Sequence, residues 1–199
     1  MADVTPTRGA LLELVDERRA MREGHGFLDE KCLLLAGAML QELARHRGYL
    51  RAVEDLHAAA LAALAAAVAR HGLDALQAYP ATAAHDARVT VAARGLMGVT
   101  LRQAALALPV AAPPDVPFDR SPEIDACREA FRALAEAGAA LAASHGNLER
   151  LEREYHRASR RARALADVLL PEADRRIAEL DTRLAELEQE DAIWRRPRG

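Results

Sequence analysis

The chain has 199 residues and a mass of 21.6 kDa; 51% of its residues are apolar, 29% are charged and only 4% are aromatic, while alanine alone fills 46 positions. Small apolar side chains permit close helix contact but bury little area each, so this composition points to thin helix-on-helix packing and argues against an all-β fold. The formal charge of -3, with arginine as 26 of the 27 basic residues, offers neither the basic field nucleic acid requires nor an acidic tail.

The amino-terminal residues MADVTPTRGALLELVDERR mix acids and bases early and do not read as a signal peptide. From about Thr7 to His71 the positions Leu11, Leu14, Arg18, Met21, His25, Leu28, Cys32, Leu35 and Met39 alternate in steps of three and four. After a small slip the rhythm resumes as Leu43, His46, Leu50, Val53, His57, Ala60, Leu64 and Ala67, which predicts a heptad-patterned helix over 7–71. Pro6 suits a helix start and Thr5 suits its cap. Gly24 and Gly26 flank a seam histidine and imply either close backbone contact or a bend. The most apolar run, Ala58 to Ala69, is shorter than the roughly 20 residues a membrane span needs, so no transmembrane segment is expected.

Residues 72–122 read as a separate middle module and reversing loop. Alternation in Ala87-Arg88-Val89-Thr90-Val91, then Arg94-Gly95, then Leu96 to Leu101, fits a short β-hairpin. Pro109, Pro113, Pro114, Pro117 and Pro122 forbid a long helix before the last of them. Ser121-Pro122-Glu123 then supplies a cap and a proline at the first helical position. From Ile124 to Trp194 one stripe takes seventy residues in twenty steps, an average of 3.5, with phase slips near 148–151 and 169–177. The expected fold is therefore all-α dominated: a long antiparallel two-helix coiled coil with a small middle module. It forms one elongated domain over 1–199, with the second helix over 123–196. Pro171, inside that helix, predicts a bend or short break.

Motifs for catalysis are missing: there is no Gly-rich phosphate loop, no paired-cysteine motif and no His-Glu-x-x-His signature. Cys32 and Cys127 read as small buried thiols, and the seven histidines are scattered along the chain. His145 and Glu149 stand one turn apart, yet a di-metal bundle site needs four helices. Arg160, Arg161 and Arg163 read as a solvated face or protein contact. Glu190 to Arg198 switches from acidic to basic around the only tryptophan, Trp194, and reads either as a frayed end or as a docking tip.

Three stretches together resemble the D subunit of the V-type (vacuolar or archaeal-type) ATPase or ATP synthase. They are Val4-Thr5-Pro6-Thr7-Arg8 with Leu11-Leu12, Gly26-Phe27-Leu28 and Lys31; Arg160 to Pro171, which includes the interior proline; and Glu190-Asp191-Ala192-Ile193-Trp194-Arg195-Arg196. Arg163, Ala173 and Gly24 depart from the family pattern, and the basic tail after Trp194 is short. The resemblance implies a coiled-coil rotor shaft with a hairpin beside it, non-catalytic and without cofactor or metal. It would couple ATP hydrolysis or synthesis in a hexamer of A and B subunits to rotation of a membrane ion-translocating ring. It also implies the small F subunit and the C/d-type cap of that ring as partners, and a peripheral place on the cytoplasmic side of the membrane. Carried onto this sequence, Pro6, Thr7, Arg8, Glu190, Asp191, Trp194, Arg195 and Arg196 become candidate hexamer contacts, and Gly24, Gly26 and Pro171 become packing or kink positions. A non-rotating coiled-coil adaptor is the alternative the residues leave open.

Overall fold

The computed structural model describes residues 6–78, 87–108 and 121–194. In chain order the elements are α1 (Arg8–His71), a short α2 (Leu73–Ala78), β1 (Arg88–Leu96), β2 (Val99–Ala107), α3 (Pro122–Ala164), a π-helical turn (Leu165–Leu169) and α4 (Leu170–Trp194). Thr5, Arg195, Arg196, Pro109, Pro113, Pro114 and Pro117 lie outside the described residues. The chain divides into two compact units, residues 1–36 with 154–199, and residues 37–153.

Helix dominates both units, and each contains a closely packed antiparallel pair. In the first unit Arg8, Arg18 and Lys31 of α1 meet Glu188, Asp174 and Glu154, so positions rise along one member of the pair as they fall along the other. In the second, Glu42, His46 and Arg70 meet Asn147, His145 and Glu123 in the same sense. Buried seam residues are mostly small: Ala60, Ala67, Ala158, Ala162 and Ala173, joined by Leu35, Ile124, Leu151 and Leu180.

The seam follows the expected period but not every expected residue. Leu50, His57 and Leu64 are exposed, while Leu56 and Ala63 are half-buried beside Ala60 and Ala67. Spacing of three or four from Ala60 is met by either neighbour, and here the seam takes Leu56 and Ala63. On the return helix Phe131, His145, Leu169, Leu187, Asp191 and Trp194 are exposed. Ser144, Asn147 and Leu151 are buried at three-four spacing, so the slip expected near 148–151 is unnecessary once polar residues enter the seam. Cys32 and Cys127 are free and half-buried, with burial raising both thiol pKa values above their ordinary range.

Pro171 neither breaks the helix nor ends it. Leu151 to Ala158 and Ala173 to Leu180 are each one heptad, but Ala158 to Ala173 is fifteen residues, one more than two heptads. The π turn absorbs that surplus: the Leu170 N–H donates to the Leu165 carbonyl, five residues back. Proline directly after this turn loses no α-helical hydrogen bond that the wider geometry would have formed, and the crowding with the carbonyl four residues earlier is relieved. The extra residue, rather than the proline, creates the turn. Removing exposed Val168 in a Pro171→Ala background should therefore restore a continuous α-helix and slow hydrogen exchange of amides 165–171, whereas Pro171→Ala alone should leave the turn and its exchange in place.

α1 runs unbroken through both glycines of its first half. A methyl group at Gly24 would stand 3.9 Å from Leu165 Cδ1, an ordinary contact, and one at Gly26 would meet nothing within 4 Å. Gly26 thus answers to neither close approach nor a bend. Gly26→Ala should raise unfolding stability by about 1 kcal/mol in urea titration, through helix propensity and a less flexible unfolded chain.

The middle of the chain forms an antiparallel hairpin in which Arg88 pairs with Ala107 and Leu96 with Val99. Its two-residue turn is Met97-Gly98, both at positive φ (48° and 87°), rather than Arg94-Gly95, which lies within β1. Two left-handed residues give the turn whose twist suits right-handed strands.

Candidate functional site

The ends of the first unit carry most of the residues that sequence reasoning singled out. Thr7 caps α1: its Oγ1 accepts the Ala10 N–H at 3.2 Å, with half-buried Pro6 just before it. Arg8 then opens the helix and no acidic residue follows in the first turn, which sets a cation against the positive end of the helix dipole. Its Nη2 and Nε donate to Glu188 Oε1 on α4 at 2.6 and 3.2 Å, and this contact raises the guanidinium pKa further above its ordinary value. Both side chains are largely exposed, 81% and 59%, so the pair adds little to stability.

α4 carries acidic residues close to its last described turn. Asp191 stands in the last turn, Glu190 just before it, and no basic residue occurs there among the described positions. Ile193 and Trp194 close the helix at 70% and 85% exposure. Beside Arg8 and Glu188, residues Leu11, Leu12, Leu184 and Ala185 line a shallow apolar cleft, with Leu12 65% exposed. Arg8 is therefore brought to Glu188 rather than to Glu190 or Asp191, and Glu188 is the partner that sequence reasoning missed. Gly24 faces Leu165, the first residue of the π turn, while Gly26 lies on the exposed face and Pro171 is half-buried just after the turn.

Further along the same unit, Lys31 Nζ donates to Glu154 Oε1 at 2.5 Å, with both side chains mostly buried (15% and 23% exposed). That hydrogen bond, ahead of the opposing cost of burial, holds the Glu154 carboxyl below its usual range. Because the native value is depressed, the stabilisation is complete above the ordinary carboxylate value of 4.5 and is lost as pH falls below it through the native value. Lys31→Met should cost about 1.5 kcal/mol near neutral pH, and this difference from the parent chain should vanish in strong acid, as read by urea unfolding across pH.

The second unit holds a buried polar node that no sequence motif announced. Asn147, 3% exposed, accepts the Arg102 N–H on Oδ1 at 2.7 Å and donates from Nδ2 to the Arg102 carbonyl at 2.8 Å, so its carboxamide pairs with β2 as a strand would. The same amide donates to Glu42 Oε1 at 3.2 Å, and Arg45 donates to the other Glu42 oxygen at 3.0 Å. Arg150 adds a bond to Asn147 Oδ1 at 2.8 Å. The only sequence signal was polarity at three-four spacing in Ser144 and Asn147. Where α1 ends and α3 begins, His71 Nε2 and the buried Ser121 Oγ share a 2.6 Å hydrogen bond, Arg70 pairs with Glu123 at 2.9 Å, and Ser121 caps α3 through the Ile124 N–H.

His145 and Glu149 do lie 3.4 Å apart, with His46 stacked obliquely on His145 at a 5.8 Å ring separation. Among the described residues no group of three or more His, Cys, Asp and Glu is placed to hold a metal ion. One 18-residue window of α1 has a mean hydropathy of 1.5, enough by length and composition alone to cross a membrane, and is mostly exposed in the chain alone; a single such helix is weak evidence of a span.

Closely packed antiparallel helices with a small, laterally clamped hairpin define an all-α dominated protein built on paired long helices. Residues 10–195 match the family of the ATP synthase D subunit, and the chain belongs to that family. No curated protein matches it.

Proposed function

We propose that this chain is the central-stalk rotor shaft of a V/A-type rotary ATPase or ATP synthase, with its paired ends seated in the hexamer of A and B subunits. The observation that carries the reading is the end of the first unit. Ile193 and Trp194 are left in water, and Arg8 stands at the positive end of its own helix dipole. Such an arrangement costs the isolated chain stability, a cost that contact with a partner would offset. Tryptophan and arginine are the side chains most often found to anchor protein interfaces.

In this role the chain performs no bond chemistry. Sequential closure of the catalytic subunits pushes on an asymmetric helical pair, and the close alanine seam resists twisting well enough to pass the torque on. The small F subunit and the C/d-type cap of the membrane ring complete the stalk, which places the chain peripherally on the cytoplasmic side of the membrane.

Co-expression with A, B and F subunits should yield a complex containing one copy of this chain per hexamer. Within that complex, Arg8→Glu combined with removal of residues 190–199 should reduce ion pumping per ATP hydrolysed by about tenfold or more while the unfolding midpoint of the isolated chain stays nearly unchanged, since exposed ion pairs are worth little. Unchanged coupling would refute the placement of these ends in the hexamer. Failure to join a competent hexamer would refute the rotor reading and leave the non-rotating adaptor.

A further inference from the structure

The hairpin has an inner and an outer strand. β2 is held to the helices by buried Val99 and Leu101 and by the Asn147 amide, whereas every residue of β1 from Arg88 to Gly95 is exposed. Asn147 also fixes the ladder's parity. Since it takes both backbone groups of Arg102, those groups face away from β1, and Arg102 opposite Ala93 is a non-hydrogen-bonded pair. Pairs such as Leu101 with Arg94 and Gln103 with Ala92 are then the bonded ones. The N–H and C=O groups of Val89, Val91, Ala93 and Gly95 consequently point out along the free edge. Among the described residues none of them bonds to backbone outside the hairpin.

Side chains on this strand sort by face as well. Val89 and Val91, 62% and 55% exposed, lie on one face, and Arg88 and Arg94 lie on the other. Residues 87–108 contain three arginines, Arg88, Arg94 and Arg102, and no aspartate or glutamate, in a chain whose net charge is -3. A second copy added edge to edge would set arginines against arginines, which disfavours self-pairing. An incoming strand with carboxylates on one face and apolar side chains on the other meets both faces of β1.

From this geometry we propose that the free edge of β1 receives an extended segment of a protein partner, alternating acidic and apolar residues, which adds to the hairpin as a third strand. The main-chain groups of Val89, Val91, Ala93 and Gly95 supply its hydrogen bonds, and Arg88 and Arg94 select its charge. The proposal stands apart from the rotor reading, because it concerns the second unit and requires no hexamer.

The test uses the full chain and two labelled eight-residue probes, one alternating glutamate with valine and one alternating lysine with valine. Fluorescence anisotropy should show binding of the acidic probe about tenfold or more tighter than the basic one, and hydrogen exchange should slow at the amides of Val89, Val91, Ala93 and Gly95 but not at those already paired with β2. Val91→Pro removes one outward donor while leaving the β1–β2 ladder intact, and should abolish binding. The double variant Arg88→Glu, Arg94→Glu should reverse the preference between probes, which keeps the proposal testable if the proline variant unfolds. Equal binding of the two probes, or binding unaffected by these changes, would overturn it. Protection of the edge amides in the chain alone would also overturn it: concentration dependence of that protection would mean self-pairing, and its independence would mean the edge is covered by the chain's own segments.

Discussion

Ala60, Ala67, Ala158, Ala162 and Ala173 make up much of the buried seam, and a methyl group buries little apolar surface. Helices joined through such residues approach closely, but each turn contributes only a small hydrophobic gain. Two consequences follow from that thinness. The phase of the seam must be kept, since rotating the return helix by one residue would trade Ala162 for Arg161 or Arg163 and Ala173 for Glu172 or Asp174, with nothing bulky nearby to compensate. The pairing must also be fixed along its length by directional contacts, because methyl groups alone specify register poorly.

Both consequences are visible in side chains that carry no motif. The surplus residue between Ala158 and Ala173 is wound into a π turn, which lets the alanines on either side stay buried without a break in the helix. Register is marked by hydrogen bonds between partners distant in sequence: Lys31 with Glu154 and Arg18 with Asp174 in the first unit, and Asn147 with Glu42 and His71 with Ser121 in the second. The buried members of this set are worth more than their exposed counterparts, because a lost partner leaves a desolvated polar group behind. Asn147 acts twice in this respect, since the same amide fixes β2 to the helix pair.

The helical period was legible because leucine and alanine recur at three-four spacing, and the cap at Ser121 because serine-proline-glutamate is a local signal that needs no tertiary context. The hairpin was legible in outline but not at its turn. Arg94-Gly95 and Met97-Gly98 are both X-Gly pairs, and only the strand register and the positive φ of Met97 select the second. At His57 and Leu64 both candidates for a seam position were acceptable, so periodicity could not choose between them. Asn147, Glu42 and Glu188 were illegible for a different reason. Their roles depend on which residue of a remote segment arrives opposite them, and reading mainly apolar positions into the stripe hid the two that are buried.

Local rules are obeyed through most of this chain and broken in a few places. Ser121 and Thr7 cap their helices, but Arg8 sits at the positive end of its helix and Trp194 in water. Sequences that are otherwise consistent tend to depart from local preference where function imposes a different requirement. The outer strand of the hairpin departs in a second way, with exposed valines and outward-facing main chain on an edge that most proteins shorten or cover. Its arginines restrain self-association while leaving the edge open to an oppositely charged strand. Stability in this molecule is thus concentrated along the seam and at the polar nodes, and the surfaces that remain unsatisfied are those a partner would have to complete.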